Sequence, residues 1–430
     1  MSNNLMLEYV ASIHDELIAI RRDLHRHPEL KFDIDRTAGI AAQYLEDWGL
    51  EVERGVGPHF GKGVVGTLRG RTGGKTVLLR ADMDALPIQE GNETPYKSFR
   101  AGIMHACGHD AHTAMLLGAA KTLSRFRERL TGTVKFVFQP CEEGPAASPL
   151  DGHPISGARD LIEGGILEGV DLCFALHVSP GLPVGTVGVH PKHAMAGGSG
   201  FRVEFQGKSG HHSTPHLAVD AILMVAQFIT EMKTVMSSEI NPVAPAVLSF
   251  GTLHAGTARN VIAEQSVIDG SFRTFDPAIT QRIKQAIERR AHNIADSYGG
   301  KAVVEVGTGG TGLVNHKEAV RLVLRAGSRA LGADRTFLLE TPSLAGEDFS
   351  QYLYRVPGAL AFIGSGNPDR GIIHSVHHPL FDIDEQVLVH GAGLHVELVR
   401  EILAGNGESE EEVGKTEGEG EYELRAAAVF

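Results

Sequence analysis

Cysteine, tryptophan and positive charge are all scarce in this sequence: 430 residues hold three cysteines, one tryptophan and 6% aromatics. Three thiols, Cys107, Cys141 and Cys173, cannot all pair with one another, so a disulfide-built fold is excluded and a reduced, cytoplasmic protein is expected. No basic cluster interleaved with aromatics occurs and the formal charge is -13, which argues against a nucleic-acid surface. No apolar run approaches the roughly 20 residues that cross a bilayer. The opening "MSNNLMLEYVASIHDEL" has neither the cationic start nor the apolar stretch of a secretory signal. Neither a membrane nor a nucleic acid is therefore an expected partner.

The charge is unevenly spread. From Asn406 onward the chain carries eight acids and two bases, a net of -6 that leaves -7 for the body. Residues 406–430 read as an acidic, disordered tail. At this length two domains are expected. Residues 5–25 have helical apolar spacing, and "DRTAGIAAQYLEDWGLEV" reads as a second helix stopped at Gly49. Strands and helices then alternate: "GVVGTLRG", "TVLLRADMD", the helix "HTAMLLGAAKTLSRFRERL", "GTVKFVFQP", the helix "SGARDLIEGGILEG" and "VDLCFALHV". Alternation of this kind predicts an α/β domain whose ligands gather at the carboxyl ends of its strands. After "HAMAGGSG" comes a strand-helix-strand-strand-helix-strand series, read as an inserted second domain over 194–309. The first domain resumes over 310–405, so it comprises 1–193 and 310–405 and closes on the helix "DEQVLVHGAGLHVELVREIL".

Chemically able side chains stand where strands end. Asp82 and Asp84 follow "TVLLRA"; Cys107 and His109 lie in the loop before a helix; Glu142 and Glu143 follow "KFVFQP"; His177 ends "LCFALHV". Near the C-terminus "HSVHHPLFDIDE" offers His374, His377 and His378. Alone, Cys-x-His suits a metal ligand pair, a nucleophile or plain burial. Thiol, imidazole and carboxylate converging from several strand ends form the donor set of a divalent transition-metal site.

The segments "RRDLHRHPEL", "LLRADMDALPIQE", "MHACGHDAHTAMLLGAA", "FQPCEEG", "GKSGHHSTPHLAVDAI", "ARNVI" and "GEDFS" occur in this order. In them the chain resembles the amidohydrolase branch of the aminoacylase/carboxypeptidase metallopeptidases, which includes hippurate hydrolase and the auxin-conjugate hydrolases. The likeness spans roughly residues 10 to 400 and leaves only the acidic tail uncovered. It implies an α/β catalytic domain with an inserted α+β, ferredoxin-like lid and dimerisation domain, and hence a homodimer or higher homo-oligomer. It also implies two divalent transition-metal ions (Zn, Mn, Co or Ni), held by Cys107, His109, Glu143, His177 and His377. The last of these is selected by counting four residues back from Phe381. Glu142 then matches the general base and Asp84 the aspartate that orients metal-site groups. In the second domain His211 matches the residue that stabilises the oxyanion, and Asn260 and Arg273 match positions that hold the substrate carboxylate.

The implied activity is metal-dependent hydrolysis of N-acyl amino acids; the alternative is a carboxypeptidase acting on short or N-blocked peptides. A thiol hydrolase using Cys107 and a non-catalytic binding protein are the competing readings. Three departures from the family pattern stand out: Cys141 before the glutamates, a second histidine at His212, and the long loop "PAASPLDGHPIS" with His153, expected to shape the acyl pocket.

Overall fold

The computed structural model describes residues 5–307, 309–404, 422–427 and 429–430. The chain forms two compact units: Met1–Ala194, Val314–Ser343 and Gln351–Phe430 make the first, and Met195–Leu313 with Leu344–Ser350 make the second.

The first unit is built on a nine-stranded mixed sheet. From one edge its strands are Glu51–Val56, Gly63–Arg69, Thr131–Gln139, Arg71–Asp82, Leu172–Pro183, Gly358–Gly366, Val187–Val189, Thr336–Leu339 and Leu424–Arg425. Four central neighbours, from Thr131–Gln139 to Gly358–Gly366, run parallel. They are continuous apolar runs rather than alternating ones because helices cover both faces of such a sheet. Register aligns their ends: Asp82 sits opposite Gln139, Arg80 opposite Ala175, and Phe362 opposite His177. The row Gln139, Asp82, His177 and Phe362 therefore lies at one level, and the segments that follow these strands meet there.

Two helices anchor this arrangement. His109–Arg125 buries residues on every side, and Gln386–Leu403 packs beside it, with a Cβ at Gly391 falling only 2.0 Å from Met115 Sδ. At the N-terminus the single expected helix is two, Leu5–Ser12 and His14–Arg26. The break falls at Ile13, whose N–H bonds Val10 in a tighter i−3 turn. Helix Asp35–Asp47 stops as expected at Gly49, which adopts a left-handed φ of 73°.

The second unit is a four-stranded antiparallel sheet, ordered Ala246–Ala255, Gln265–Thr274, Gly197–Gln206, Lys301–Val306. Helices Ala221–Thr234 and Pro277–Tyr298 pack on it around Phe205, Phe228, Phe272 and Ile287. In order of sequence the strands are arranged 4-1-3-2, the ferredoxin-like βαββαβ pattern expected of the insertion. Its limits are wider than 194–309. Leu344–Ser350, the "GEDF" stretch, joins it through the Ala196 N–H bond to Ala345 O.

The expected disordered tail falls largely on residues 405–421, outside the described residues. Its described end is ordered within the first unit: Leu424–Arg425 adds a parallel edge strand beside Leu338–Leu339, and Val429 is buried. Among the described residues no helix is long and apolar enough to cross a membrane.

Candidate metal centre

Three loops and one strand bring the donors together. The strand ending at Asp82 is followed by Asp84, whose two oxygens accept the backbone N–H of Glu142 at 2.9 Å and of Glu143 at 3.2 Å. One carboxylate thus fixes the loop that carries the glutamates. The Cys107–His109 loop turns at Gly108, with φ 84°, and a Cβ there would fall 2.4 Å from Val178 Cγ2. Only glycine permits both the turn and the close approach. His377 also adopts a left-handed φ, of 65°, and its N–H bonds Ala106 O at 2.7 Å, tying it to the same loop. Strained backbone at a non-glycine residue is characteristic of functional sites.

Two of the donor groups share Cys107: Cys107, His109 and His177 lie within 4.8 Å of one another, as do Cys107, Glu143 and His377; His109, Glu142 and Glu143 make a third. Cys107 Sγ is 3.5 Å from His177 Nε2, and Glu143 Oε1 is 3.4 Å from His377 Nε2. The Nδ1 of His177 is 2.8 Å from Val178 O, the contact that leaves Nε2 with its lone pair free. Both nitrogens of His109 are buried and make no hydrogen bond, while Asp84 Oδ1, Asp82 Oδ2 and Glu143 Oε1 stand 3.5, 3.6 and 3.8 Å away. A buried imidazole whose nitrogens make no hydrogen bond and which faces three carboxylates is satisfied by a cation. The residues present fit two divalent transition-metal ions.

Burial opposes charge on His109, but Asp82, Asp84 and Glu143 push its pKa up to about 10; these carboxylates favour positive charge at this point, and a metal ion would have to displace that proton, since only neutral imidazole ligates. Burial and the neighbouring Glu143, Glu142 and Asp82 hold the Cys107 thiol far above its ordinary range. This direction is wrong for a free thiolate nucleophile, which requires a lowered pKa, but natural for a group that ionises only against a cation. The thiol-hydrolase reading loses its basis here.

A further triad, Asp82, His109 and His112, is close enough to suggest another ion. Its hydrogen bonds decide otherwise. His112 Nε2 accepts the Val178 N–H at 2.9 Å, so Nδ1 carries the proton and donates to Asp82 Oδ1 at 2.6 Å. Asp82 Oδ2 pairs with Arg80 at 2.6 Å. Both nitrogens of His112 are used, and the group braces the strand carrying His177. Sequence reasoning assigns Asp82 no role and passes over His112 and Arg80. The i, i+3 spacing of His109 and His112 is the signal that could have found the brace.

The other expected residues divide clearly. His374 and His378 stack on each other at 4.4 Å and stand outside these donor groups, leaving His377 as the histidine of this segment within them. Cys141 is buried against Phe32 and Ile155 and donates to Gly144 O, a structural cysteine. In the loop after the glutamates, Ala146–Ala147 pairs with Pro154–Ile155 and His59 lies 2.6 Å from Ser148 Oγ; His153 is exposed. In the second unit His211 pairs with Val261 in a short ladder, and the His212 N–H bonds Asn260 O, so His211 and Asn260 are close and exposed. Arg273 lies on a different strand with its side chain against Gly198.

A mixed sheet whose strand ends bring together thiol, imidazole and carboxylate donors, in a chain that also carries a ferredoxin-like unit, points to a metal-dependent hydrolase. The profile of Peptidase family M20/M25/M40 matches residues 78–401, and the chain belongs to that family. It is 37% identical over 387 residues to thermostable carboxypeptidase 2 of Saccharolobus solfataricus, covering 90% of this chain and 95% of the other. It is 36% identical over 400 residues to the N-acetyl-L-cysteine deacetylase of Bacillus subtilis, covering 93% and 91%. Among solved structures it resembles the Bacillus subtilis YXEP protein, a dinuclear metal binding peptidase from the M20 family. That match has a TM-score of 0.77 and 34% identity, and covers 90% of this chain and 98% of that one.

Proposed function

We propose that the chain hydrolyses the amide bond of N-acyl amino acids, with Cys107, His109, Glu143, His177 and His377 holding two divalent ions. The observation that carries this is the pair of donor groups sharing Cys107, with Glu142 on the same loop as Glu143. Zn, Mn, Co or Ni suit such mixed sulfur, nitrogen and oxygen donors. Bound there, the ions supply an acidified water and a polarised carbonyl. Glu142 takes the proton of the attacking water and returns it to the leaving amine. Asp84 holds the Glu142–Glu143 backbone in place while this happens. His211 is assigned the oxyanion, and Asn260 and Arg273 the substrate carboxylate.

The deacetylase of Bacillus subtilis and the IAA-amino acid hydrolase ILR1-like 4 of Arabidopsis thaliana favour an acyl amino acid. The Saccharolobus carboxypeptidase favours the second reading, a carboxypeptidase acting on short or N-blocked peptides. Both use the same water and differ in what fills the acyl pocket. Three buried cysteines that form no disulfide support a cytoplasmic location. The exposed strand Ala246–Ala255, at the edge of its sheet, supports a homodimer formed through the second unit.

The test is amine release from N-acetyl, N-benzoyl and long-acyl amino acids and from short peptides, before and after chelation and readdition of Mn²⁺, Zn²⁺ or Co²⁺. Metal-restored release from acyl amino acids is expected. Release confined to peptides selects the second reading, and metal-independent release refutes both.

A further inference from the structure

The segment that carries His377 has no regular structure of its own: residues 373–385 belong to no helix or strand. His377 itself holds a left-handed φ of 65°, and its side chain is 51% exposed. Packing does little to fix such a residue, and a ligand that must be ordered on binding loses affinity. The other candidate ligands differ. His109 opens a helix buried on every side, and His177 lies within a central strand.

Support for the His377 segment comes from the N-terminal motif "RRDLHRHPEL". Arg21 is completely buried, and its guanidinium reaches Asp110 Oδ2 at 2.8 Å, Asp382 Oδ1 at 3.1 Å and Glu385 Oε1 at 3.5 Å. Asp110 follows His109 on the buried helix and also faces His25 Nδ1 at 2.7 Å, so it is a fixed point. Arg22 grips the same Glu385 twice, Nε to Oε1 at 2.8 Å and Nη2 to Oε2 at 2.6 Å. Both guanidiniums lie over the Tyr96 ring, 4.8 and 4.7 Å from its centroid. The Tyr96 hydroxyl donates to Asp382 Oδ2 at 2.7 Å. Two backbone acceptors of the segment are taken as well: the Gly91 N–H bonds Pro379 O, and Asn92 Nδ2 bonds Phe381 O, each at 2.8 Å. A buried guanidinium among carboxylates cannot shift without leaving a charge unpaired, so this clamp is stiff.

From this geometry we infer that Arg21, Arg22, Tyr96 and Asp382 are positioning residues for one of the two ions. They hold His377 in place for the ion bound with Cys107 and Glu143, while the ion bound by Cys107, His109 and His177 does not depend on them. The inference rests on the proposed function in taking His377 as a ligand. Outer partners of metal ligands typically contribute about 10- to 100-fold in affinity, and the lower figure suits a clamp that acts through the backbone.

The test uses Tyr96→Phe, which keeps the ring beneath both guanidiniums, and Asp382→Asn, which leaves the Arg21–Asp110 pair intact. Zn²⁺ is titrated into the metal-free parent and both variants, and calorimetry resolves the two binding steps. About tenfold weaker binding in one step, with the other unchanged, is expected of each variant. Excess Zn²⁺ should then restore kcat for an N-acyl amino acid at unchanged KM, which a general loosening of the fold would not allow. Unchanged affinity in both steps, equal weakening of both, or a parent that binds a single ion overturns the inference. Selective weakening of one step in proteins that cleave no acyl amino acid leaves the clamp standing and removes the proposed activity. Cleavage by all three proteins with unchanged Zn²⁺ binding removes the clamp and leaves the proposed activity standing.

Discussion

His112 donates from Nδ1 to Asp82 Oδ1 at 2.6 Å while its Nε2 accepts the Val178 N–H. One imidazole thus joins the end of one strand to the backbone beside His177. His112→Ala would leave the buried Val178 N–H without an acceptor, a loss of about 1–3 kcal/mol. It would also loosen His177, and outer partners of metal ligands typically contribute about 10- to 100-fold in affinity. Urea unfolding and chelator competition measure the two effects. Unchanged metal affinity would reduce the pair to a purely structural brace.

Cys107 belongs to two of the donor groups, whereas His377 belongs to one. Cys107→Ala is expected to bind fewer ions than His377→Ala, which retains the group of Cys107, His109 and His177. Mass spectrometry of the native protein counts them. Full loading of the Cys107 variant would exclude the thiolate as the shared ligand.

Glu142→Gln keeps the shape of the side chain and removes the base. Turnover is expected to fall by about 10²- to 10⁴-fold with metal content unchanged. A rate within a fewfold of the parent would transfer the proton role to another group.

Stability should also depend on His395, buried in helix Gln386–Leu403. Burial first, and the nearby His112 second, push its pKa down to about 3. Above the ordinary histidine pKa of about 6.5 both folded and unfolded chains hold it neutral. As pH falls below that value the unfolded chain takes up a proton that the folded chain refuses, so stability declines by up to about 1.4 kcal/mol per pH unit until about pH 3. His395→Leu removes this slope. Denaturation of both proteins at pH 7 and pH 5 reads the difference, and parallel curves would contradict it.

Much of this architecture is legible in the sequence because it is written locally. β-branched runs mark the central strands, glycine marks the helix stop at Gly49 and the turn at Gly108, and thiol, imidazole and acid at successive strand ends mark the metal centre. The ferredoxin-like insertion follows from element order. What escapes depends on contacts between residues distant in sequence. The brace from Arg80 through Asp82 to His112 and Val178 exists only once strands are in register. The membership of Leu344–Ser350 in the second unit depends on contacts distant in sequence, among them the Ala196 N–H bond to Ala345 O. The burial of Val429 and the contact of the Phe430 ring with His177 are masked by composition: an acid-rich run suggests solvation, and the apolar stretch "AAAVF" after it carries no periodicity.

The most direct test of the central claim is a titration of metal-free protein with Zn²⁺ or Mn²⁺, following bound ions and release of amine from an N-acyl amino acid together. Two ions per chain, with activity appearing as the sites fill, is the predicted result. Hydrolysis by protein that holds no metal would contradict it.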